Sequence, residues 1–214
     1  DGTGIDETIE VIVISTAIED TNLELIKAKS LNIKVIKRSE LLASISRTKR
    51  TISVGGTSGK STTTAMIFHI LNQCGKSPSL MSGAGLTALQ KQGLIGNSYN
   101  GKSDWLVIEA DESDGSIVNY TSEIALLLNM DRDHKEFSEL IQLFETFRAN
   151  TTHTFIVNQS HPMSKNLSLN SEYDFGVDTP NVGFNGTEMS QNGFTIRSKC
   201  NDTLENLTAI RKHK

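Results

Sequence analysis

The chain is short of the features that define specialised protein classes. It has two cysteines, Cys74 and Cys200, far apart and without metal-ligand spacing. That rules out a disulfide scaffold or a cysteine-bound metal as the organising principle, and each is expected as a buried or half-buried thiol. No apolar run approaches the roughly 20 residues of a membrane helix, and no signal peptide leads the sequence. No basic excess exists either: the formal net charge is −4. A nucleic-acid groove that neutralises many phosphates needs such an excess, so bulk nucleic-acid binding is excluded, while a few N–H groups and one lysine can still hold a small anion. With 36% hydrophobic and 21% charged residues, the composition is that of a soluble globular protein, expected in the cytoplasm and with no membrane partner. Asn-x-Ser/Thr triplets are frequent, as chance dictates in a chain so rich in Asn, Ser and Thr.

The 214 residues suffice for one large domain, or for one medium domain with part of another. There is no initial Met, and Asp1-Gly2-Thr3-Gly4 leads straight to the β-branched run Val11-Ile12-Val13-Ile14, so the sequence reads as starting inside a domain. A helical stretch from Asn22 to Ser30 and a second apolar run, Ile33 to Ile36, complete a strand-helix-strand unit, as in part of a Rossmann-like domain. A helix from Ser39, its expected cap, to Arg47 closes it. A new pattern opens at Thr51-Ile52-Ser53-Val54, followed by an amphipathic segment in which Met66, Ile67, Ile70, Leu71 and Cys74 recur at helical spacing. Apolar strands are predicted at Trp105–Ile108, Ile124–Leu128 and Phe155–Val157, with a helix over 135–150 whose face is Phe137, Leu140, Ile141, Phe144 and Phe147. Short apolar strands alternating with helices predict an α/β fold, a mostly parallel sheet with helices on both faces. Beyond Ser160, Asn185-Gly186 and Asn192-Gly193 predict hairpin turns of an antiparallel flap. The expected divisions are 1–48, 49–205 and a tail at 206–214.

The sharpest motif is Gly55-Gly56-Thr57-Ser58-Gly59-Lys60-Ser61-Thr62, between an apolar strand and an amphipathic helix. Glycines let successive N–H groups turn inward, the helix start adds the positive end of its dipole, and the Lys60 ammonium reaches the outer phosphates. The Ser61 hydroxyl is then placed to ligate Mg2+. Gly56, Thr57, Ser58, Gly59, Lys60, Ser61 and Thr62 are the candidate ATP-binding residues of this P-loop. The general pattern Gly-x-x-x-x-Gly-Lys-Ser is not met, because Val54 stands where its first glycine would be.

A second cluster, Glu109-Ala110-Asp111-Glu112-Ser113-Asp114, follows the strand ending at Ile108. C-terminal strand ends line the ligand crevice of such sheets, so Glu109 should face the phosphate loop, where a cation needs oxygen ligands. Taken alone, the cluster can also be read as a solvated acidic loop. The third is Asn129-Met130-Asp131-Arg132-Asp133-His134, again after an apolar strand. Of the five histidines only His134 has a location that suggests chemistry, although Mg2+ rarely takes imidazole; His153, His161 and His213 have no evident partner.

The short loop Gly56-Thr57-Ser58-Gly59-Lys60-Ser61-Thr62 resembles that of Mur ligases and folylpolyglutamate synthases. The threonines of Thr62-Thr63-Thr64-Ala65-Met66, and Glu-Ala-Asp-Glu-Ser-Asp followed by Asn-x-x-x-Asp-His, are similar to the alanine-adding branch of the Mur family. Weaker likeness runs through Ser15-Thr16-Ala17-Ile18, the stretch Lys34 to Glu40, Phe175-Gly176 and Asn192 to Thr195. The resemblance implies a cytoplasmic ATP- and Mg2+-dependent ligase of peptidoglycan precursor synthesis, joining L-alanine to UDP-N-acetylmuramate. It implies Lys60, Glu109 and His134 as catalytic residues, Ser61, Glu109 and His134 at the metal, and Asp111, Glu112 and Ser113 towards substrate. It also implies that 1–48 is part of a UDP-substrate domain and 49–205 the central ATP-binding domain. A murein-tripeptide recycling ligase, a folylpolyglutamate synthase-like enzyme and a truncated nucleotide-binding module are the alternatives. The family's His-Asn-x-x-Asn segment and its C-terminal domain are not found, so the chain alone is expected to bind phosphates without efficient ligation.

Overall fold

The computed structural model describes residues 2–132, 135–190, 193–200 and 203–209, with side chains described as far as residue 186. The expected turn residue Asn192 and the basic tail at 210–214 lie outside these. At the N-terminal end, β1 (Val11–Ile14) and β2 (Lys34–Lys37) form a two-stranded parallel sheet crossed by α1 (Leu23–Ser30). Asn22 starts α1, its side chain accepting from the N–H groups of Glu24 and Leu25. Glu24 in the first turn with Lys27 and Lys29 in the last complements the helix dipole. The next helix, α2 (Arg38–Arg47), starts one residue before Ser39. Ser39 is therefore not the cap; the Glu40 carboxylate accepts the Lys37 N–H at 3.1 Å and closes the helix start instead. Ala43 of α2, 2% exposed, joins the main core and fastens this first unit to the rest.

The main sheet has six strands in the order β5-β4-β6-β3-β7-β8. They are β3 (Arg50–Gly55), β4 (Ser79–Met81), β5 (Ser98–Tyr99), β6 (Trp105–Glu109), β7 (Ser122–Leu127) and β8 (Thr151–Val157). All neighbours pair in parallel except β4 with β5. Helices α3 (Lys60–Gln73), α4 (Thr87–Gln90) and α5 (Phe137–Ala149) complete the unit. Alternation along β6 shows both faces to be covered. Leu106 and Ile108 belong to the core under α5, with Phe144 and Phe147, whereas Val107 packs with Phe68 of α3, Leu80 and Leu89.

The face of α5 is the predicted one, with Leu140, Phe144 and Phe147 buried and Phe137 and Ile141 packed beside them. That of α3 is rotated: Thr64 and Phe68 are buried, while Met66 (45%) and Ile70 (56%) are exposed and Cys74 is an exposed free thiol. From Ala65 to Leu71 only His69 is polar, so periodicity does not decide which stripe meets the sheet, and of the predicted face Ile67 and Leu71 do pack beside Phe68. Strands β4 and β5 are too short to register as apolar runs.

The C-terminal sheet orders as β12-β11-β10-β9, from β9 (Phe175–Val177), β10 (Phe184–Ser190), β11 (Gly193–Cys200) and β12 (Thr203–Ala209). It is mixed rather than wholly antiparallel, because β9 and β10 run in parallel. Asn185-Gly186 lies inside β10 and makes no turn; the register shifts there, between Gly186 and Glu188. β10 and β11 pair antiparallel, with Ser190 opposite Gly193. β12 runs through residue 205 to Ala209, across the division expected at 206. A bridge between Asn158 and Phe175 links this sheet to the end of β8. Among the described residues no helix is long and apolar enough to cross a membrane.

Removing the ring of fully buried Phe144 should cost about 3–5 kcal/mol in chemical denaturation. Ile70→Ser, at 56% exposure, should stay within about 0.5 kcal/mol of the parent. Equal costs for the two would contradict the face assigned to each helix.

Candidate phosphate and cation site

Between β3 and α3 the chain turns through Gly56 and Gly59. Gly56 has φ +139°, and a Cβ there would lie 3.1 Å from Leu128 Cβ and 3.2 Å from the Asn129 backbone N, a space only glycine fits. Gly59, at φ +83°, is the left-handed residue from which α3 starts. The N–H groups of the first turn of α3 have no intrahelical acceptor, and they open onto a cavity of about 220 Å³ lined by Thr57 to Thr62 and Glu109. The structure therefore brings the seven candidate loop residues together at one helix start.

Pairing of β3 with β6 sets Val54 opposite Glu109 and so delivers the acidic cluster to the loop. Ser61 Oγ donates to Glu109 Oε1 at 2.9 Å, and Glu109 Oε2 accepts from Gly83 N at 2.7 Å and Ser82 Oγ at 3.2 Å. The Lys60 ammonium donates to the Gly56 carbonyl at 2.8 Å and to Glu112 Oε2 at 2.8 Å. Their side chains are only 13% and 6% exposed, so Glu112 is turned to Lys60 rather than to open space. Asp111 and Ser113 bond to one another, Ser113 N donating to Asp111 Oδ1 at 3.0 Å. Asp111 also borders a second cavity of about 110 Å³, with Arg38, Ser82, Glu109, Ser116 and Tyr120. Burial pushes the Tyr120 hydroxyl above the usual tyrosine range, opposed by its hydrogen bond with Ser116.

His134 lies outside the described residues. Five residues before it, Asn129 holds the phosphate loop, a role that no local pattern of residues signals. Ser82 and Gly83 were also missed; the only signal was Gly83-Ala84-Gly85 before a helix. His161 does have a partner: its Nε2 lies 3.0 Å from Asp131 Oδ1, and Ser164 N donates to its Nδ1 at 3.3 Å. Nδ1 is thus the acceptor nitrogen, which leaves the Nε2 proton for Asp131.

The donor set suits a hard cation. Ser61 and Glu109 present a hydroxyl and a carboxylate to the same cavity, and Mg2+ is characteristically held by one or two such oxygens with phosphates and water completing its shell. Among the described residues no three His, Cys, Asp or Glu side chains converge as an all-protein metal cage.

The buried pair makes Lys60 a part of the fold as well as of the loop. Lys60→Ala strands the Glu112 carboxylate at 6% exposure and should cost about 3 kcal/mol in denaturation, much of it recovered in Lys60→Ala/Glu112→Ala. Additive losses would mean that the two charges do not depend on each other. Because the folded state binds the Tyr120 proton more tightly than the unfolded chain does, stability should also fall as pH rises above about 10, less steeply in Tyr120→Phe.

Comparison with known proteins agrees with this geometry. Residues 54–205 match the Mur ligase middle domain, and residues 3–50 match the family model described as Mur ligase family, catalytic domain. The UDP-N-acetylmuramate–L-alanine ligase of Bartonella quintana is 40% identical over 140 residues, covering 65% of this chain and 28% of the relative. The ligase of the same description from Desulforapulum autotrophicum is 42% identical over 134 residues, 63% of this chain and again 28% of the relative. The matched stretch thus spans less than a third of the length of these relatives. Among solved structures, UDP-N-acetylmuramate-alanine ligase from Thermotoga maritima superposes with TM-score 0.76 at 22% identity, covering 93% of this chain and 46% of that one. The UDP-N-acetylmuramate:L-alanyl-gamma-D-glutamyl-meso-diaminopimelate ligase from Neisseria meningitides does so with TM-score 0.74 at 18% identity, covering 95% and 69%. With the middle-domain model matching well over half of its length around a phosphate loop joined to an acidic strand end, the chain belongs to the Mur ligase family.

Proposed function

We propose that this chain carries the nucleotide site of an ATP-dependent ligase that joins L-alanine to UDP-N-acetylmuramate in the cytoplasm, for peptidoglycan precursor synthesis. The observation that carries the reading is the bond from Ser61 to Glu109, which unites a phosphate loop with an oxygen donor for a cation. The identity of 40% and 42% with alanine-adding ligases supports the choice of substrates. In the reaction, the lactyl carboxylate attacks the γ-phosphorus of ATP, giving an acyl phosphate and ADP. The amine of alanine then displaces phosphate and forms the amide.

The protein's work in such a transfer is positioning and charge neutralisation. The loop Gly56 to Thr62 holds the β- and γ-phosphates, on the N–H groups that open α3. Lys60, swung from Glu112, neutralises the transferred phosphoryl group, and Glu112 keeps its ammonium charged and within reach. Ser61, Glu109 and His134 would hold Mg2+, which when bound would supply countercharge to the phosphates. Asp111 and Ser113 face the acyl substrate, which approaches along the cavity beside Arg38 and Tyr120; residues 1–48 are the part of the UDP-substrate domain that presents it. The match covers 28% of the Bartonella relative, so nucleotide binding is assigned to this chain and efficient ligation to the whole protein, where domain closure excludes water.

A murein-tripeptide ligase is the second reading, favoured by the similar superposition on the Neisseria enzyme; a non-catalytic nucleotide-binding module is the third. Calorimetry with MgATP on the chain, and ADP release by the whole protein offered L-alanine or murein tripeptide, separate them. MgATP binding lost in Lys60→Ala, with alanine-dependent ADP release, is expected. Tripeptide-dependent release would transfer the assignment to the recycling ligase, and binding without release to the module. Glu109→Gln should raise the Mg2+ concentration needed for nucleotide binding by about tenfold or more, as loss of one charged ligand requires. An unchanged Mg2+ dependence would remove Glu109 from the cation site.

A further inference from the structure

The phosphate loop of this protein does not hold itself. In the general P-loop pattern a glycine five residues before the Gly-Lys pair begins the turn. Here that position is Val54, fully buried in β3. Strand pairing continues past it, since Ala110 N donates to Val54 O at 2.9 Å and Leu128 N to Gly55 O at 3.0 Å. Only Gly56 to Gly59 is left to form the free part of the loop, and this short stretch is bonded from outside.

The external partner is the segment after β7. Asn129 Oδ1 accepts from Ser58 N at 2.9 Å and from Thr57 Oγ1 at 2.9 Å, while Asn129 Nδ2 donates to Ser58 O at 3.0 Å. Thr57 Oγ1 in turn accepts from Asp131 N at 2.9 Å, and Thr57 N donates to Asn129 O at 3.4 Å. An amide side chain is the group that can both accept the Ser58 N–H and donate to the Ser58 carbonyl, so it mimics a pairing strand at the tip of the loop. The close approach at Gly56 brings the two segments within reach.

We propose that Asn129, with Thr57 as its relay, is a positioning residue for nucleotide binding. It fixes the Ser58 peptide so that the following N–H groups, from Gly59 to Thr62, point together at the phosphates before nucleotide arrives. The inference rests on the phosphate-loop reading above and adds to it a residue that touches no phosphate. Its consequence is that the Ser58 N–H, already spent on Asn129, is not a phosphate donor.

The chemistry predicts an order of variants. Asn129→Ala removes three hydrogen bonds of the clamp and lets the loop sample other conformations, so binding must supply the ordering. Asn129→Asp retains the acceptor for Ser58 N and Thr57 Oγ1, but sets a carboxylate against the Ser58 carbonyl and beside a triphosphate. Thr57→Val loses the relay, whereas Thr57→Ser keeps the hydroxyl and should rescue. The test measures, on the whole chain, amide exchange at Ser58 by NMR, the Kd for ATP with Mg2+, and the melting temperature, with Lys60→Ala as the reference for lost phosphate binding.

Expected are faster exchange at Ser58 and a Kd about tenfold weaker in Asn129→Ala, the scale of one or two neutral hydrogen bonds. Asn129→Asp should be weaker still, Thr57→Val should follow Asn129→Ala, and Thr57→Ser should match the parent. A merely structural role would lower the melting temperature without that order in Kd. Unchanged Ser58 exchange in Asn129→Ala overturns the clamp. Faster exchange with parental Kd overturns its role in binding while Lys60→Ala still shows the phosphate site to be real. No MgATP binding by the parent chain overturns the nucleotide reading and this inference together.

Discussion

The carboxylate of Glu109 ends one strand and receives hydrogen bonds from three groups on two separate segments, Ser61 at the start of α3 and Ser82 and Gly83 after β4. Three residues on, Glu112 receives the Lys60 ammonium. The two residues that open α3 are thus each held by a carboxylate from the end of β6. A cluster of negative charge at a strand end would repel itself and any phosphate brought near. The loop's lysine and N–H groups offset that repulsion, and in the proposed function a cation would offset the rest.

Holding these partners in register is the task of the sheet. β3 lies between β6 and β7, so the loop that leaves it is flanked by the ends of both neighbours. β6 supplies charge, and β7 supplies the amide of Asn129. Glycine at 55 and 56 allows the approach: a Cβ on Gly55 would sit 2.9 Å from the Phe147 ring, and one on Gly56 would press on Leu128 and Asn129. The packing of α5 against the sheet and the geometry of the phosphate loop are therefore one constraint, because the ring that fills the core also sets the floor beneath the loop.

Local chemistry wrote part of this into the sequence. The apolar runs at Trp105–Ile108 and Phe155–Val157 were strands because continuous β-branched and aromatic residues suit a sheet buried on both faces, whereas Val11–Ile14 is a strand by its β-branched residues alone, since Val11 and Val13 are exposed. The face of α5 was legible because its apolar residues fall on a single stripe. The loop Gly56 to Thr62 was legible because closely spaced glycines and a lysine at a helix start are a local pattern that suits a phosphate. Less could be read where local preference competes with context, as at Ser39, passed over as a cap because Glu40 closes the helix from inside, and at Asn185-Gly186, drawn into a strand by its neighbours.

By itself, then, the sequence determined the alternation of strands and helices, the position of the phosphate loop and the acidic residues that follow β6, since each depends on a few adjacent side chains. Only the tertiary structure decided which carboxylate serves which partner. Glu109 and Glu112 are three residues apart and chemically alike, yet the first turns to Ser61 and the second to Lys60. Asp131 meets His161 from 30 residues away, and Asn129 reaches Ser58 across 71. Such pairings depend on strand order and register, which bring distant segments to one edge of the sheet, and no local pattern of residues encodes them.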